Sequence, residues 1–348
     1  MSNSKKTFAL ILTGLMTASM LTACGSDGDT NTGGDDAQGN GKTVELTFAN
    51  VQSQGAKDAG EKFIEIVEEK TNGGITVKHF PDNQLGDDRV VVETTQFGDI
   101  DISASSTSPL CTMYPDLYIF DAPYLFLNKD QANAGMDGPV GQKILDEMSS
   151  IGLKGCALWE NGFRHLTNDK IAVRVPSDVK GMKIRTMENE IHLAAWQAWG
   201  ANPTPMAFTE VFTALQQGTI DGQENPFAMI DANKLYEIQH YVSMTGHIYT
   251  PYIVVMNLDR YNSFSDEYRQ ILDDAWAESV PYNKSQMQKY EDEIIQKFKD
   301  YGTEIIELTD DEKAQWQKAA EDAGVFDLTK SKMDHPEYMD EMLAQFES

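Results

Sequence analysis

Arginine is the side chain best shaped to hold a carboxylate, because its planar guanidinium aims two parallel N–H donors at two oxygens and keeps its charge. In this sequence of 348 residues, Arg185 stands at the end of a short strand-like run, residues 182–186. Open α/β sheets place ligands at such strand ends. On residue type alone, a surface arginine on an edge strand is an equal reading. Glu188, three positions past Arg185, could accept hydrogen bonds from ligand hydroxyls or point into water, and the two readings weigh equally. Phe208 taken alone reads as core. Other chemistries lack their residues. The six histidines are scattered, with no i, i+4 pair to hold a metal. His165 and His192 read as hydrogen-bonded structural histidines. No Gly-x-Ser-x-Gly elbow and no Gly-x-Gly-x-x-Gly opening a helix is present. The 55 acids leave a catalytic carboxylate pair open without lending it support, and no enzymatic activity, cofactor or metal is expected.

The elements that must position these residues follow from hydropathy period. Val44, Leu46 and Phe48 alternate as in a strand, and Ala59, Phe63 and Val67 recur every four residues as on a helix lying against it. Gly73-Gly74 ends that helix, and residues 75–80 form a second strand. Asp87-Asp88 precede a helical run through Val91 and Phe97, stopped by Gly98 before a strand at 101–105. Residues 155–160, 182–186 and 253–256 read as further strands and 208–217 as a short helix. A long helical tract starts at Ser265 as its cap, carries Leu272, Ala275 and Trp276 on one face, and continues through Met287, Tyr290, Ile294 and Phe298. Pro281 should kink or break it. The last 40 residues read as acidic helix packed against the body. The alternation predicts an α/β fold with a largely parallel sheet.

The N-terminus has a separate role. Lys5 and Lys6 precede an uncharged apolar run, residues 8–21, which suits a signal peptide and is too short to span a bilayer comfortably. It ends in Leu21-Thr22-Ala23-Cys24, which resembles the lipobox of bacterial lipoproteins. That resemblance implies cleavage before Cys24 and a diacylglycerol on its thiol. Residues 25–42 hold six glycines and four aspartates and cannot bury a core. As a flexible tether they reach roughly 25 Å. Within them Asp27, Asp29 and Asn31 imitate a calcium loop, but Thr32 and Gln38 occupy its glycine and glutamate positions. Cys111 and Cys156 read most simply as buried thiols, a bridge between them being left open. Acids outnumber bases 55 to 28, for a formal net charge of −27. Such a surface excludes a nucleic-acid reader.

One block is distinctive. It runs Lys180-Gly181-Met182-Lys183-Ile184-Arg185, then Gly200-Ala201-Asn202-Pro203-Thr204-Pro205-Met206, then Glu210-Val211-Phe212-Thr213-Ala214-Leu215-Gln216-Gln217-Gly218, and closes with Asp221-Gly222-Gln223-Glu224-Asn225-Pro226. With Gln84-Leu85-Gly86-Asp87-Asp88-Arg89 and Asn161-Gly162-Phe163-Arg164, it strongly resembles the substrate-binding proteins of TRAP (tripartite ATP-independent periplasmic) transporters. The resemblance implies a two-lobed, type II-like periplasmic-binding-protein fold with crossing strands and a long kinked helix. Lobe I takes residues 43–161 and about 250–288, and lobe II takes 162–249 and about 289–348. It also implies closure on an organic acid and delivery to membrane subunits driven by an ion gradient. By the same analogy Arg185 is the main carboxylate clamp, Arg164 the second cation, Asn225 their neighbour, and Phe208 packs on the ligand. Asp88, Ser106, Glu188 and Tyr252 match positions that contact ligand in some members. Asn50 lies in a first loop whose spacing departs from relatives.

Ser106 falls where some sialic-acid-binding relatives carry an acid, which argues against that ligand. A sugar acid, either a hexuronate or an aldonate, is favoured over a dicarboxylate, whose second carboxylate Glu188 would repel. The expected protein is a monomer held to the membrane only by its lipid. The alternatives are a sensing lipoprotein that presents its acid to a membrane kinase, and an extracellular enzyme acting on acidic sugars.

Overall fold

The computed structural model describes residues 43–346 except residue 52; the signal segment, Cys24 and the tether lie outside the described residues. Along the chain come Val44–Asn50 (β1), Gln54–Lys70 (α1), Ile75–Phe80 (β2), Asp88–Phe97 (α2), Ile102–Ser106 (β3), Lys129–Asp137 (α3), Pro139–Glu147 (α4), Leu153–Phe163 (β4), His165–Asn168 (β5), Lys183–Thr186 (β6), Glu190–Ala198 (α5) and Asn202–Pro205 (β7). There follow Phe208–Gln216 (α6), Gly222–Asn225 (β8), Phe227–Ala232 (α7), Tyr241–Ser243 (β9), Tyr249–Asn257 (β10), Leu258–Asn262 (α8), Asp266–Tyr301 (α9), Glu304–Ile306 (β11), Asp310–Asp322 (α10), Val325–Lys332 (α11) and Glu337–Phe346 (α12).

The strands form two sheets, ordered β2-β1-β3-β10-β4 and β11-β9-β5-β8-β6-β7. The expectation of a largely parallel sheet is corrected. β1 pairs in parallel with β2 and β3, and β6 with β7 and β8, but β10 runs antiparallel to both β3 and β4, and β5 antiparallel to β8 and β9. The antiparallel members come from long chain reversals. β4 leads directly through Arg164 into β5 of the other sheet, and β10 returns. Hydropathy period reports which face of a strand is buried and carries no direction.

Side-chain caps and close packing fix these elements locally. Ser53 accepts from the Ala56 N–H to cap α1, and Asp87 accepts from the Val90 N–H to cap α2. Gly98 ends α2 at φ +89°, a conformation that side chains disfavour. Leu46 and Phe48 of β1 pack with Ala59, Phe63 and Val67 of α1, and Trp276 of α9 stacks on Phe63. Pro281 does not break α9, which runs 36 residues through it. Tertiary contacts hold both halves: the Trp159 Nε1–H donates to Ser279 Oγ at 2.9 Å, and Asn283 Oδ1 accepts from the Glu160 N–H at 2.6 Å. The C-terminal helices do pack against the body. Trp316 meets Trp196 and Trp199 edge to face, and α12 lies on α3 and α4. Cys111 and Cys156 are free thiols, so the open bridge does not form. Burial pushes Cys156 up to about 12, leaving it without reactive thiolate at neutral pH. No helix among the described residues is long and apolar enough to cross a membrane.

Candidate functional site

The ends of strands from both sheets and the starts of two helices converge on one cleft. Ser106 ends β3, Arg185 is next to last in β6, and Asn225 ends β8. Asp88 opens α2 and Phe208 opens α6. All five line the cleft, together with Glu188 at its rim. The first turn of α6 has no side-chain cap, so its N–H groups and positive dipole end sit where Ala207 and Phe208 meet the cleft.

Arg185 is 2% exposed. Its Nε–H and one Nη2–H both donate to the Met206 carbonyl, at 3.1 and 2.7 Å, and its guanidinium lies 5.5 Å from the centre of the Phe208 ring. Its Nη1 is buried and has no partner. Burial pushes Arg185 down to about 10, with Glu224 pulling it up and Arg164 pushing it further down, so it is charged at neutral pH. A buried charged donor left unpaired costs about 1–3 kcal/mol or more, and an anion oxygen at Nη1 recovers that. The Nε edge of the fork is already taken by Met206, so a two-pronged contact has to use Nη1 and the second Nη2–H.

Asp88 accepts from the Ser106 N–H at 2.7 Å. Burial raises its pKa, the bond from Ser106 lowers it, and Asp87 raises it further. It stands in the cleft wall. Asn225 donates to Gln223 Oε1 and accepts from Arg164 Nη2 at 3.1 Å.

Three of the expected residues are not among those lining the cleft. Arg164 is fully buried and forks over Glu224, its Nε–H donating to Oε2 and its Nη2–H to Oε1 at 2.9 Å and to the Glu224 carbonyl at 2.6 Å. It positions Asn225 from behind, because Glu224 faces inward on β8 and an inward carboxylate demands a cation. Tyr252 is buried, and its hydroxyl donates to Met229 Sδ at 3.1 Å, so it supports a cleft residue from behind. Asn50 is buried and hydrogen-bonded to His79 Nε2.

Sequence reasoning missed Arg89, Met187, Met206 and Met229, all of which line the cleft. Arg89 stood in a quoted motif, one position from Asp88, and pairs with Glu93 at 3.2 Å. The methionines carry no spacing signal, being unbranched side chains that fill irregular walls.

Behind the cleft lies a buried polar chain. Glu224 accepts from His247 Nε2 at 3.0 Å and has His192 Nδ1 at 3.8 Å, while His192 Nε2 meets Asp121 Oδ1 at 2.8 Å. Burial opposes the charge on Glu224, but Arg164 and the two histidines outweigh it and hold the carboxyl well below the usual range. Asp121 raises His192 against the desolvation of its ring. His165 accepts from the Gly246 N–H at 3.2 Å. Both singled-out histidines are thus hydrogen-bonded in the interior.

With this geometry in place, the likenesses to known proteins are informative. The sequence model of the bacterial extracellular solute-binding proteins of family 7 matches residues 47–324. A solute-binding protein of Verminephrobacter eiseniae is 37% identical over 268 residues, which is 77% of this chain and 80% of that protein. The 2,3-diketo-L-gulonate-binding periplasmic protein of Escherichia coli is 34% identical over 76% of this chain and 81% of its own length. The structure of the sugar acid binding protein of Advenella mimigardefordensis in complex with galactonate superposes with a TM-score of 0.83 at 30% identity, covering 87% of this chain and 98% of that one.

Proposed function

The chain belongs to family 7 of the bacterial extracellular solute-binding proteins, and from that premise we propose that its cleft captures an organic acid by the carboxylate for the membrane subunits of a TRAP transporter. The observation that carries this reading is the buried, unpartnered Nη1 of Arg185 in the cleft wall. Arg185 is the clamp, with Asn225 beside it, Phe208 against the ligand, and the α6 N-terminus adding its dipole. Asp88, Ser106 and Glu188 supply oxygens to the remainder of the ligand. Oxygen acceptors gathered with one guanidinium in the same cleft suit a molecule with one carboxylate and several hydroxyl donors. That chemistry is a sugar acid, an aldonate or hexuronate, and the named ligands of the Escherichia coli and Advenella proteins support the class. A dicarboxylate brings a second charge toward Asp88 and Glu188 and is disfavoured.

Two lobes, residues 43–161 with about 250–288 and residues 162–249 with about 289–348, close on the ligand about the crossing strands. Cys24, outside the described residues, carries the lipid that holds the protein on the outer face of the membrane. Two or more acyl chains on it are needed for stable anchoring. A thermal-shift screen of organic acids tests the ligand reading, since saturating ligand stabilises by RT ln(1 + [L]/Kd). Sugar acids are expected to raise the unfolding temperature above succinate and above neutral sugars. A panel in which only dicarboxylates or only neutral sugars stabilise would overturn the reading.

A further inference from the structure

Away from the cleft, three segments far apart in sequence bring metal-ligating groups to one point. Asp116 lies in the short helical turn Pro115–Asp121, Glu147 is the last residue of α4, and His335 sits just before α12. One donor atom from each lies within 4.8 Å of the other two. We propose that Asp116, Glu147 and His335 form a site for a divalent first-row transition ion, of which Zn²⁺ is the probe, with solvent as the fourth ligand.

The donor set is the first argument. One imidazole nitrogen with two carboxylates suits zinc-class ions, and the nitrogen disfavours magnesium and calcium. Separation is the second. His335 Nδ1 stands 2.7 Å from Asp116 Oδ2 and 3.7 Å from Glu147 Oε2. Bonds of about 2.0–2.1 Å in a tetrahedron put donors about 3.3 Å apart, so one gap opens and the other closes by about half an ångström. The His335 side chain is 44% exposed, which gives solvent a path, and its ring is stacked on Tyr338.

Orientation is the third argument. Glu147 is held by two phenols, Tyr114 donating to Oε2 and Tyr338 to Oε1, both at 2.6 Å. Asp116 Oδ1 is held by the His335 N–H at 2.8 Å. Metal ligands are commonly fixed by such an outer layer of hydrogen bonds. Charge is the fourth. Asp116 is fully buried, and neither carboxylate makes an ion pair with lysine or arginine among the described residues. Lys143, whose charge acts on Glu147 from a distance, pairs instead with Glu341 and lies over the Tyr338 ring. A divalent ion that replaces the imidazole proton neutralises both acids. Bound there, it staples the segment leading into α12 to α4 and to the turn at residue 116.

The untagged protein, stripped with chelator, is titrated with Zn²⁺ by calorimetry and by thermal shift, with Mg²⁺ and Ca²⁺ as controls. One equivalent of Zn²⁺ is expected, with a raised unfolding temperature. His335→Asn keeps an N–H that can donate to Asp116 but removes the imidazole, so it should unfold near the wild-type temperature without metal and bind Zn²⁺ at least tenfold more weakly. Glu147→Gln should weaken binding similarly while its amide oxygen still accepts from one tyrosine and its NH2 donates to the other phenol oxygen, which covers the case that the histidine variant does not fold. His240→Ala, which removes a surface histidine paired with Asp169, should bind as wild type. Absence of stoichiometric Zn²⁺ binding, or binding unchanged in both His335→Asn and Glu147→Gln, would overturn the proposal.

Discussion

Replacing Arg185 by alanine should separate binding from folding, because the residue is only partly used by the protein itself. In the structure it gives two hydrogen bonds to one carbonyl, that of Met206, and a contact to the Phe208 ring. Against those stands the cost of a buried charge whose Nη1 has no partner. Each hydrogen bond is worth about 1 kcal/mol net, and an unsatisfied charged donor costs at least as much, so the stability change should be about 1 kcal/mol or less in either direction. Binding loses far more, because a carboxylate drawn into the cleft is left without its guanidinium. Truncating one partner of such a pair costs about 2–5 kcal/mol, which is roughly 30-fold to a few thousand-fold in Kd, seen mostly as faster release. Arg185→Lys keeps the charge but cannot reach both Met206 and the ligand with a planar fork, and should fall between. Calorimetry with the acid found in the screen reads the affinity, and thermal denaturation reads the fold. Wild-type affinity in a folded Arg185→Ala protein would mean that the carboxylate is held elsewhere.

Other consequences are as direct. A Cβ at Gly222 would lie 2.3 Å from the Thr167 carbonyl oxygen of the neighbouring strand, so Gly222→Ala should force β8 from β5 and cost about 1–3 kcal/mol in chemical denaturation. His165 is pushed down to about 3, mainly by burial, and His79 to about 4, by burial and then Lys57. The unfolded chain therefore takes up these protons first, near 6.5; their contribution is complete above that pH and is lost as pH falls through 4 and 3. His165→Asn should flatten the stability profile in that window by about one proton, and an unchanged slope would contradict the assignment. Cys24→Ala should move the protein from the membrane to the soluble fraction, and retention on membranes would contradict lipidation. Small-angle scattering should show compaction when the acid is added.

The core of the fold was legible because burial leaves a period. Leu46, Phe48, Ala59, Phe63 and Val67 announced the first strand–helix pair, and Ser265 announced its helix through capping chemistry. Strand direction was not legible, since alternation is the same in β1 and β10, and the antiparallel crossings came out only in the register. Nor was the fate of Pro281, which depends on Trp159 and Asn283 tying the two halves of α9 to the first sheet. At the site, the strand end left Arg185 level with a surface arginine, and only the resemblance of the surrounding block singled it out; the structure places it in the cleft wall. The burial of Arg164 was not legible, because it turns on Glu224 pointing inward, and a carboxylate on a four-residue strand gives no sign of which way it faces. The gathering of Asp116, Glu147 and His335 is invisible to any spacing rule, since three separate elements supply them.

The central claim is that this cleft recognises a sugar acid through its carboxylate. The most direct measurement is a calorimetric comparison of an aldonate with the matching aldose and aldonolactone, which keep most or all of the hydroxyls and lack the charge. The account predicts that the aldonate binds and that both neutral analogues bind at least 30-fold more weakly, the lower end of the cost of an unpaired partner. Equal affinity for the acid and its neutral counterparts would contradict it.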